Sequence, residues 1–223
     1  MSTAPRVRAE RVEVQRSRDK ILAAAEAHYS VRDADPTMAE LAKLAGVGSA
    51  TLYRRYPTLD DVIRDLYDRE IGFLQSIAGT VLAQPTGWDA IVALMIGIID
   101  VLQEHPCIPR LNRKMVARDD DHRFSAQWDA QLDQLVLLAQ SEGTLRLDVN
   151  SNDITFAAFR IGGYLNLPPQ ERDRVIGRQV GIVLDGLRRD GQRSTLPGSP
   201  ISPDDLHEIF RYEVANPVDS STG

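Results

Sequence analysis

The chain has 223 residues, of which 43% are hydrophobic and 26% are charged, and its formal net charge is −6. This hydrophobic share excludes an intrinsically disordered chain, and the length suits one large domain or two unequal ones. The single cysteine, Cys107, excludes an internal disulfide framework and a multi-cysteine zinc site. No run approaches the ~18 to 20 apolar residues of a membrane span, and the N-terminal residues lack the apolar core of a secretory signal.

The charge is unevenly distributed along the chain. Residues 1–56 hold ten basic and seven acidic side chains, a net charge of +3, whereas residues 57–223 carry −9. A net acidic chain argues at first against a nucleic-acid partner, but a basic end joined to an acidic body is typical of a protein with one nucleic-acid-binding end. An excess of three positive charges is equally compatible with an ordinary solvated surface.

Apolar residues in the first 85 positions recur at helical spacing. The pattern predicts four helices, over residues 16–30, 38–44, 49–56 and 58–83. Thr37 and Glu40 form a capping box at the start of the second helix, because each side chain satisfies a backbone donor of the other residue. A turn with Gly46 and Gly48 separates the second helix from the third, and Pro57 ends the third.

The acidic remainder also shows helical patterns. Residues 88–104 are apolar nearly all round, which predicts a buried central helix. The other predicted helices cover residues 110–118, 119–143, 154–167 and 169–189. Beyond Gly191 the chain is rich in Ser, Pro and Gly, so we expect a linker or tail with at most one helical turn around 204–212. The chain is therefore predicted to be all-α, in two parts.

Two short helices joined by a glycine-containing turn form the pattern of a helix-turn-helix DNA reader. Gly48, Ser49 and Ala50 are small, so the start of the second of these helices can approach bases and phosphates closely. Its free amides and the hydroxyls of Ser49 and Thr51 are donors suited to phosphate.

The same helix carries larger DNA-binding side chains. Tyr53 and Tyr56 offer phenol donors, and Arg54 and Arg55 offer charge with bidentate geometry for phosphate or guanine. Leu52 is expected to point inward. Tyr53 and Tyr56 are also compatible with core aromatics at i and i+3, and the arginines with a solvated surface.

Three segments, KILAAA (20–25), TMAELA (37–42) and GVGSATLYRRYPT (46–58), closely resemble the N-terminal domain of the TetR/AcrR (tetracycline-repressor-type) family. The resemblance covers about residues 16–70, and the later helices agree with the family only in number and order. It implies an N-terminal three-helix helix-turn-helix domain and a C-terminal helical ligand-binding and dimerisation domain. The predicted segments are a flexible basic arm (1–15), the DNA-binding domain (16–60), the helical domain (61–190) and a tail (191–223).

The resemblance also implies roles for single residues. Thr37 matches a position that grips a phosphate, Arg54 and Tyr56 match backbone-contacting positions, and the groove-facing positions are Gly48, Ser49, Ala50, Tyr53 and Arg55. Many family members have a phosphate-contacting lysine where this chain has Leu59. The arginine-rich residues before Asp19 are a candidate source of the missing charge.

Large apolar and aromatic side chains of the acidic part are candidates for a small-molecule pocket. They are Met95, Leu102, Met115, Phe124, Trp128, Phe156, Phe159 and Tyr164. Each taken singly fits a packed core better, but the resemblance favours a pocket lined by some of them, and such residues suit an apolar or aromatic ligand.

In the family the last two helices of each subunit form the dimer interface, and small residues such as Gly177 and Gly181 suit close helix packing there. The dimer candidates are Ile154, Arg160, Gly163, Ile176, Val180 and Val183. A metal site at His105, Cys107 and His122 is not favoured because no metal-ligand spacing supports it. A redox role for Cys107 is also not favoured, since a lone cysteine is usually a small buried hydrophobe.

These observations predict a cytoplasmic, homodimeric DNA-binding regulator without a cofactor, most often a repressor in this family, whose palindromic operator is released when a small inducer binds. An alternative is an all-α ligand-binding protein or enzyme with an incidental helix-turn-helix, although no catalytic spacing supports it. A regulator that works through protein contacts, without a small ligand, is a third hypothesis.

Overall fold

In a computed structural model the described residues are 4–118, 129–163, 168–189 and 196–215. Within these ranges the regular elements are all helices, and the sole β feature is an isolated antiparallel bridge between Leu145 and Arg188. The predicted all-α fold is confirmed. The helices are α1 (Ala4–Val31), α2 (Met38–Ala45), α3 (Ser49–Arg55), α4 (Leu59–Ser76), α5 (Ala78–Leu82), α6 (Gly87–Glu104), α7 (Ile108–Arg118), α8 (Asp129–Ser141), α9 (Ser151–Gly162), α10 (Pro169–Leu187) and α11 (Pro203–Ala215).

Two helices near the N-terminus differ from the prediction. α1 begins at Ala4 rather than Arg16, so residues 4–15, expected to be a flexible arm, have helical backbone. Pro5 is compatible with this because proline is tolerated in a first helical turn, and the residues after it include many good helix formers. The predicted fourth helix is divided into α4 and α5 at Ile77. Next to this break the Ser76 hydroxyl donates to the Phe73 carbonyl at 2.7 Å, a local hydrogen bond of the kind that competes with regular helix bonding.

The chain folds into two compact units, and the first comprises Met1–Ile71 together with Pro106–Leu111. The unit that holds the helix-turn-helix therefore extends beyond the predicted boundary at residue 60. Its core contains fully buried side chains from successive helices: Ile21, Leu22, Ala25, Tyr29, Leu41, Leu52, Ile63 and Leu66. The separate segment 106–111 is tied to α1 by Arg110, which donates to the Ser30 carbonyl at 3.1 Å and lies 3.2 Å from an Asp33 oxygen.

The second unit comprises Gly72–His105 and Asn112–Gly223, and α6 is its central helix. α6 packs against α5, α8, α9 and α10. Close approach requires glycine at two positions, since an added Cβ on Gly87 would lie 2.4 Å from the Ala139 backbone nitrogen, and one on Gly162 would lie 2.7 Å from a Leu102 methyl carbon. The apolar character of α6 thus reflects a buried core helix, as predicted.

Part of the predicted tail is structured, because α11 is longer than the expected single turn. The segment before α11 is held by the loop that leads into α9. The Asn150 and Asn152 amides donate to the Ile201 carbonyl at 2.8 and 3.1 Å, and the Asp148 carboxylate accepts from the Leu196 amide at 3.0 Å. Hydrogen bonds from Arg146 and from this amide hold the pKa of Asp148 well below its usual range.

Among the described residues, no single helix is long and apolar enough to span a membrane. α6 and α7 meet the requirement of length and composition only as a pair, and a sharp bend separates them.

Candidate functional site

The start of α2 is built by the predicted capping box, which is confirmed. The Thr37 hydroxyl accepts from the Glu40 amide at 3.2 Å, and the Glu40 carboxylate accepts from the Thr37 amide at 2.8 Å. The Thr37 hydroxyl also donates to Glu40 at 2.8 Å. These hydrogen bonds, the backbone one foremost, lower the pKa of Glu40. Because the donor capacity of Thr37 is used within the cap, a phosphate at this position would meet free amides of the first helical turn instead.

The turn between α2 and α3 depends on Gly46. Its φ of 62° is left-handed, a conformation that side-chain-bearing residues rarely adopt. The Gly46 amide closes α2 on the Lys43 carbonyl at 3.2 Å, and the Val47 amide donates to the Ala42 carbonyl at 3.0 Å. This local geometry sets the direction in which α3 leaves the turn.

α3 presents most of its predicted DNA-binding residues on one solvent-facing surface. Leu52 is fully buried and anchors the helix, whereas Tyr53 is 52% exposed. The other surface residues are Gly48, Ser49, Ala50 and Arg54, which are exposed, and Thr51 and Arg55, which are half-buried. We name these six residues together with Tyr53 the reading face, which does not include the buried Leu52.

Leu52 is the one buried residue of α3, so most of the surface of this helix is open to solvent. An added Cβ on Gly48 would meet nothing closer than the Thr51 hydroxyl at 4.0 Å, so the space in front of the N-terminus of α3 is open. A ligand can therefore approach the first amides of this helix, which is the geometry that phosphate binding needs.

Tyr56 does not belong to this surface, which corrects its prediction as a DNA-backbone contact. It is only 5% exposed, and its hydroxyl donates to the Asp65 carboxylate on α4. Burial and this hydrogen bond raise the pKa of Tyr56. The alternative, a core aromatic three residues after Tyr53, is what the structure shows. Helical spacing would place both tyrosines on one side of a helix, but α3 ends at Arg55 and the backbone of Tyr56 is extended, so its side chain does not follow that spacing.

Asp65 also accepts two hydrogen bonds from the Arg18 guanidinium of α1, at 2.5 and 2.9 Å. Burial acts to raise the pKa of Asp65, but the hydrogen bonds from Arg18 and Tyr56 outweigh it and lower that pKa below its usual value. One carboxylate of α4 thereby holds both α1 and the end of α3. The sequence contained no signal for this cluster, since Arg18 and Asp65 are 47 positions apart.

An open groove of about 660 Å³ runs between α1 and α3. Its α1 side is formed by Glu13, Val14 and Ser17, and its α3 side by Thr51, Arg54 and Arg55. Sequence reasoning missed the α1 side, although the arginine-rich composition of residues 6–18 indicated a role for this region. In this groove the Ser17 hydroxyl and the surface of α1, which lie outside the helix-turn-helix, adjoin Arg54 and Arg55 of the reading face.

Similarity to solved structures identifies the family. The TetR transcriptional regulator SCO0520 from Streptomyces coelicolor is 31% identical over 78% of this chain and 99% of its own, with a TM-score of 0.52. The chain belongs to the TetR family of transcriptional regulators. Family members are DNA-binding proteins that are not enzymes. No family model and no curated protein matches the chain.

Two further TetR-family structures share the fold at lower identity. KstR2 of Mycobacterium tuberculosis, a ketosteroid transcriptional regulator, is 17% identical over 78% of this chain and 95% of its own, with a TM-score of 0.65. CprB from Streptomyces coelicolor, solved in complex with its operator, is 14% identical over 76% and 97%, with a TM-score of 0.55.

The candidate ligand-pocket residues of this TetR-family chain divide by burial. Met95, Leu102 and Met115 are buried, whereas Phe156 and Phe159 are half-buried. Phe124, Trp128 and Tyr164 lie outside the described residues, as does His122. Leu102 packs on Gly162 and is therefore part of the contact between α6 and α9.

Asn112 on α7 was not singled out from the sequence, where it is one polar residue among many. It is 0% exposed. Among the described residues, no hydrogen-bond partner meets its amide nitrogen or its amide oxygen. Leaving one buried polar group unsatisfied costs about 1–3 kcal/mol, so two such atoms on one side chain are unusual in a native protein.

The dimer candidates are also divided by burial. Ile154 is fully buried and Ile176 is 7% exposed, so both belong to the core of the second unit and are corrected as surface contacts. Arg160 and Gly163 are exposed, and Val180 and Val183 are half-buried. On α10 an added Cβ at Gly177 or Gly181 would meet no atom within 4 Å, and Ile182 beside them is 56% exposed. α10 thus offers a small-residue, partly apolar face.

Cys107 is fully buried in the first unit. Burial, together with the nearby Glu70 carboxylate, raises the pKa of its thiol. This environment opposes the thiolate that a redox-sensing cysteine needs.

Proposed function

We propose that the chain is a homodimeric repressor that binds a palindromic operator through the reading face and leaves it when a small, mostly apolar ligand binds. The reading face carries the proposal: it is a solvent-facing, basic and hydroxyl-rich helix surface on a capped helix-turn-helix. The proposed location is cytoplasmic, and no cofactor is required.

α3 would enter the major groove with Ser49, Ala50 and Tyr53 toward the base edges. Arg54 and Arg55 would then contact a sugar–phosphate strand at the edge of the major groove. The groove between α1 and α3 would receive that strand, with Ser17 on its far side. The arginine-rich helical extension of α1 would then supply the positive charge that Leu59 does not.

The net charges of the two chain regions support this orientation. Residues 1–56 carry +3 and the remainder carries −9. Phosphate attracts the first and repels the second, so the reading face is the surface that approaches a duplex. The net negative charge of the whole chain therefore does not argue against DNA as a partner. The uneven distribution of that charge instead supports an orientation in which the N-terminal region faces the duplex.

Homodimerisation would use the exposed parts of α9 and α10, where Arg160, Gly163, Val180 and Val183 remain candidates. Two reading faces that read successive major grooves must lie roughly 34 to 36 Å apart. A ligand that binds more tightly to a conformation with a different spacing of the reading faces would weaken operator binding. The size of this effect is set by the difference between the ligand's affinities for the two conformations. α4 runs from the first unit into the second, which makes it the natural carrier of such a change.

The solved TetR-family structures support the operator and the ligand as partner classes. CprB is described in complex with its operator, and KstR2 as a ketosteroid regulator. A mostly apolar inducer fits the buried Met95 and Met115 and the half-buried Phe156 and Phe159.

An electrophoretic mobility-shift assay, in which bound protein retards a DNA fragment in a gel, tests the proposal. Purified full-length protein should retard a short palindromic DNA from the region upstream of its own gene, and raising the salt concentration should sharply weaken binding. Absence of retardation of every upstream fragment at low salt would overturn the proposed function. Light scattering of the same preparation should give the mass of a dimer.

A further inference from the structure

Asn112 is a buried polar residue whose side-chain amide has no partner at either polar atom within the described ranges, unlike Ser151, Asn152 and Thr155 of the same unit. The Ser151 hydroxyl donates to Asp133 at 2.6 Å, the Asn152 amide donates to the Ile201 carbonyl at 3.1 Å, and the Thr155 hydroxyl donates to the Ser151 carbonyl at 3.0 Å. Within the described part of the chain, Asn112 makes no such bond through either amide atom. Asn112 therefore differs from these three residues in that neither of its two side-chain polar atoms is satisfied by a described residue.

The position of Asn112 on α7 makes its missing hydrogen-bond partner informative. Met115 and Val116 follow it three and four residues later, and both are buried, so Asn112 lies on the inward apolar side of the helix. A leucine there would complete that apolar surface without any desolvation cost. A polar side chain kept at such a position needs a partner that arrives from outside the protein.

The chemistry of the amide defines that partner. It offers N–H donors and a carbonyl acceptor but no charge. The amide itself supplies no counter-charge to a charged ligand group, and burying such a group without one would be costly. A hydroxyl or carbonyl oxygen satisfies the amide without bringing charge, and Met115 and Val116 suit an apolar skeleton.

We propose that Asn112 is the polar anchor of the inducer site, and that the inducer is a neutral, largely apolar molecule that binds the Asn112 amide through one hydroxyl or carbonyl oxygen. This inference rests on the proposed ligand response and adds to it a recognising residue and a ligand class. An ordered water molecule that permanently satisfies Asn112 is the competing outcome.

The experiment uses ketones paired with their parent hydrocarbons on the full-length protein. The pairs are cyclohexanone with cyclohexane, cyclododecanone with cyclododecane, and 5α-androstan-17-one with 5α-androstane, which cover a wide range of sizes. We expect at least one ketone to bind wild-type protein about 10-fold or more tightly than its hydrocarbon, because only the ketone offers a hydrogen-bond acceptor to the amide. Asn112→Leu should remove this preference, so that the ketone and the hydrocarbon bind alike.

Leu135→Met is the matched control, since it changes a buried apolar residue of the same unit that is not a pocket candidate, and it should keep the preference. Asn112→Val serves as a smaller replacement where Asn112→Leu does not fold. Persistence of the ketone preference in the folded Asn112 variants would overturn the proposal. So would failure of every ketone to bind wild-type protein, which is the result expected for a buried water only.

Operator retardation by the same preparations separates the two proposals. Wild-type protein that retards the operator but binds no ketone contradicts the role of Asn112 and leaves the regulator intact. Protein that binds ketones but retards no upstream DNA contradicts the proposed function instead. The Asn112 variants should retard the operator as wild-type protein does, because the substitution lies outside the reading face.

Discussion

The two units of this chain differ in where polar side chains remain available for binding. In the first unit, internal polar groups are bonded to one another, as in the Arg18, Asp65 and Tyr56 cluster, and the reading face is left to solvent. In the second, Asn112 is buried without a partner among the described residues. This difference fits the proposed binding of a charged polymer at the surface of the first unit and of a small neutral molecule inside the second.

A paired substitution on the reading face should have the largest effect. Replacing Tyr53 and Arg55 with alanine should weaken operator binding by about 100-fold or more, because good base and phosphate contacts are worth ~1–3 kcal/mol each. Fluorescence anisotropy with labelled operator measures this loss, and circular dichroism checks the fold.

Tyr212 and Arg211, an exposed tyrosine–arginine pair on α11, provide the matched control. Their replacement by alanine should leave operator affinity unchanged. Equal losses in the two double variants would show that general charge, rather than the reading face, governs binding.

A glycine pair tests the packing of the second unit. Gly87→Ala should lower the free energy of unfolding by roughly 1–3 kcal/mol, because the new methyl group would overlap the backbone of Ala139. Gly72→Ala, where the added methyl meets open space, should be neutral or stabilise its helix by up to ~1 kcal/mol. Urea denaturation measures both, and a destabilised Gly72→Ala would contradict the steric explanation.

The α1 extension should contribute a smaller share of operator affinity. Deleting residues 1–15 should weaken binding by about 10-fold at low salt, and it should reduce the slope of log affinity against log salt by roughly one for each phosphate that the shortened protein no longer neutralises. Removal of residues 216–223 is the control. An unchanged slope in the first deletion would place the phosphate-binding side chains elsewhere in the first unit.

A substitution in the Arg18, Asp65 and Tyr56 cluster should have the smallest effect, and its effect on the free energy of unfolding should depend on pH. Asp65→Asn should lower the free energy of unfolding at pH 7 by about 1–2 kcal/mol, since a charge-assisted pair is replaced by weaker bonds. The pKa of Asp65 is lowered in the folded protein, so its contribution is complete above the unfolded pKa of ~3.9 and is lost as the pH falls through the folded value.

The stability difference between wild type and Asp65→Asn should therefore shrink between pH 4 and the acid limit of folding. Asp68→Asn, an exposed carboxylate on the same helix, should show no comparable difference at any pH. A pH-independent gap between wild type and Asp65→Asn would rule out the ion pair as its source.

Local sequence patterns predicted the helix-turn-helix of the first unit. The capping box at Thr37 involves residues three apart, and the turn at Gly46 depends on a single backbone conformation, so both follow from short stretches of sequence. The periodicity of α6 likewise predicted a buried helix. The division of the fourth predicted helix at Ile77 was missed because a continuous apolar stripe does not reveal a break.

The amino-acid sequence by itself determined the helical fold, the helix-turn-helix and the residues offered on α3, since each depends on neighbours within one or two helical turns. Only the tertiary structure decided that Tyr56 faces Asp65, that Ile154 and Ile176 belong to the core, and that Asn112 is buried without a partner among the described residues. Burial and hydrogen bonding at those positions depend on helices distant in the chain, and periodicity along one helix carries no information about which helices meet.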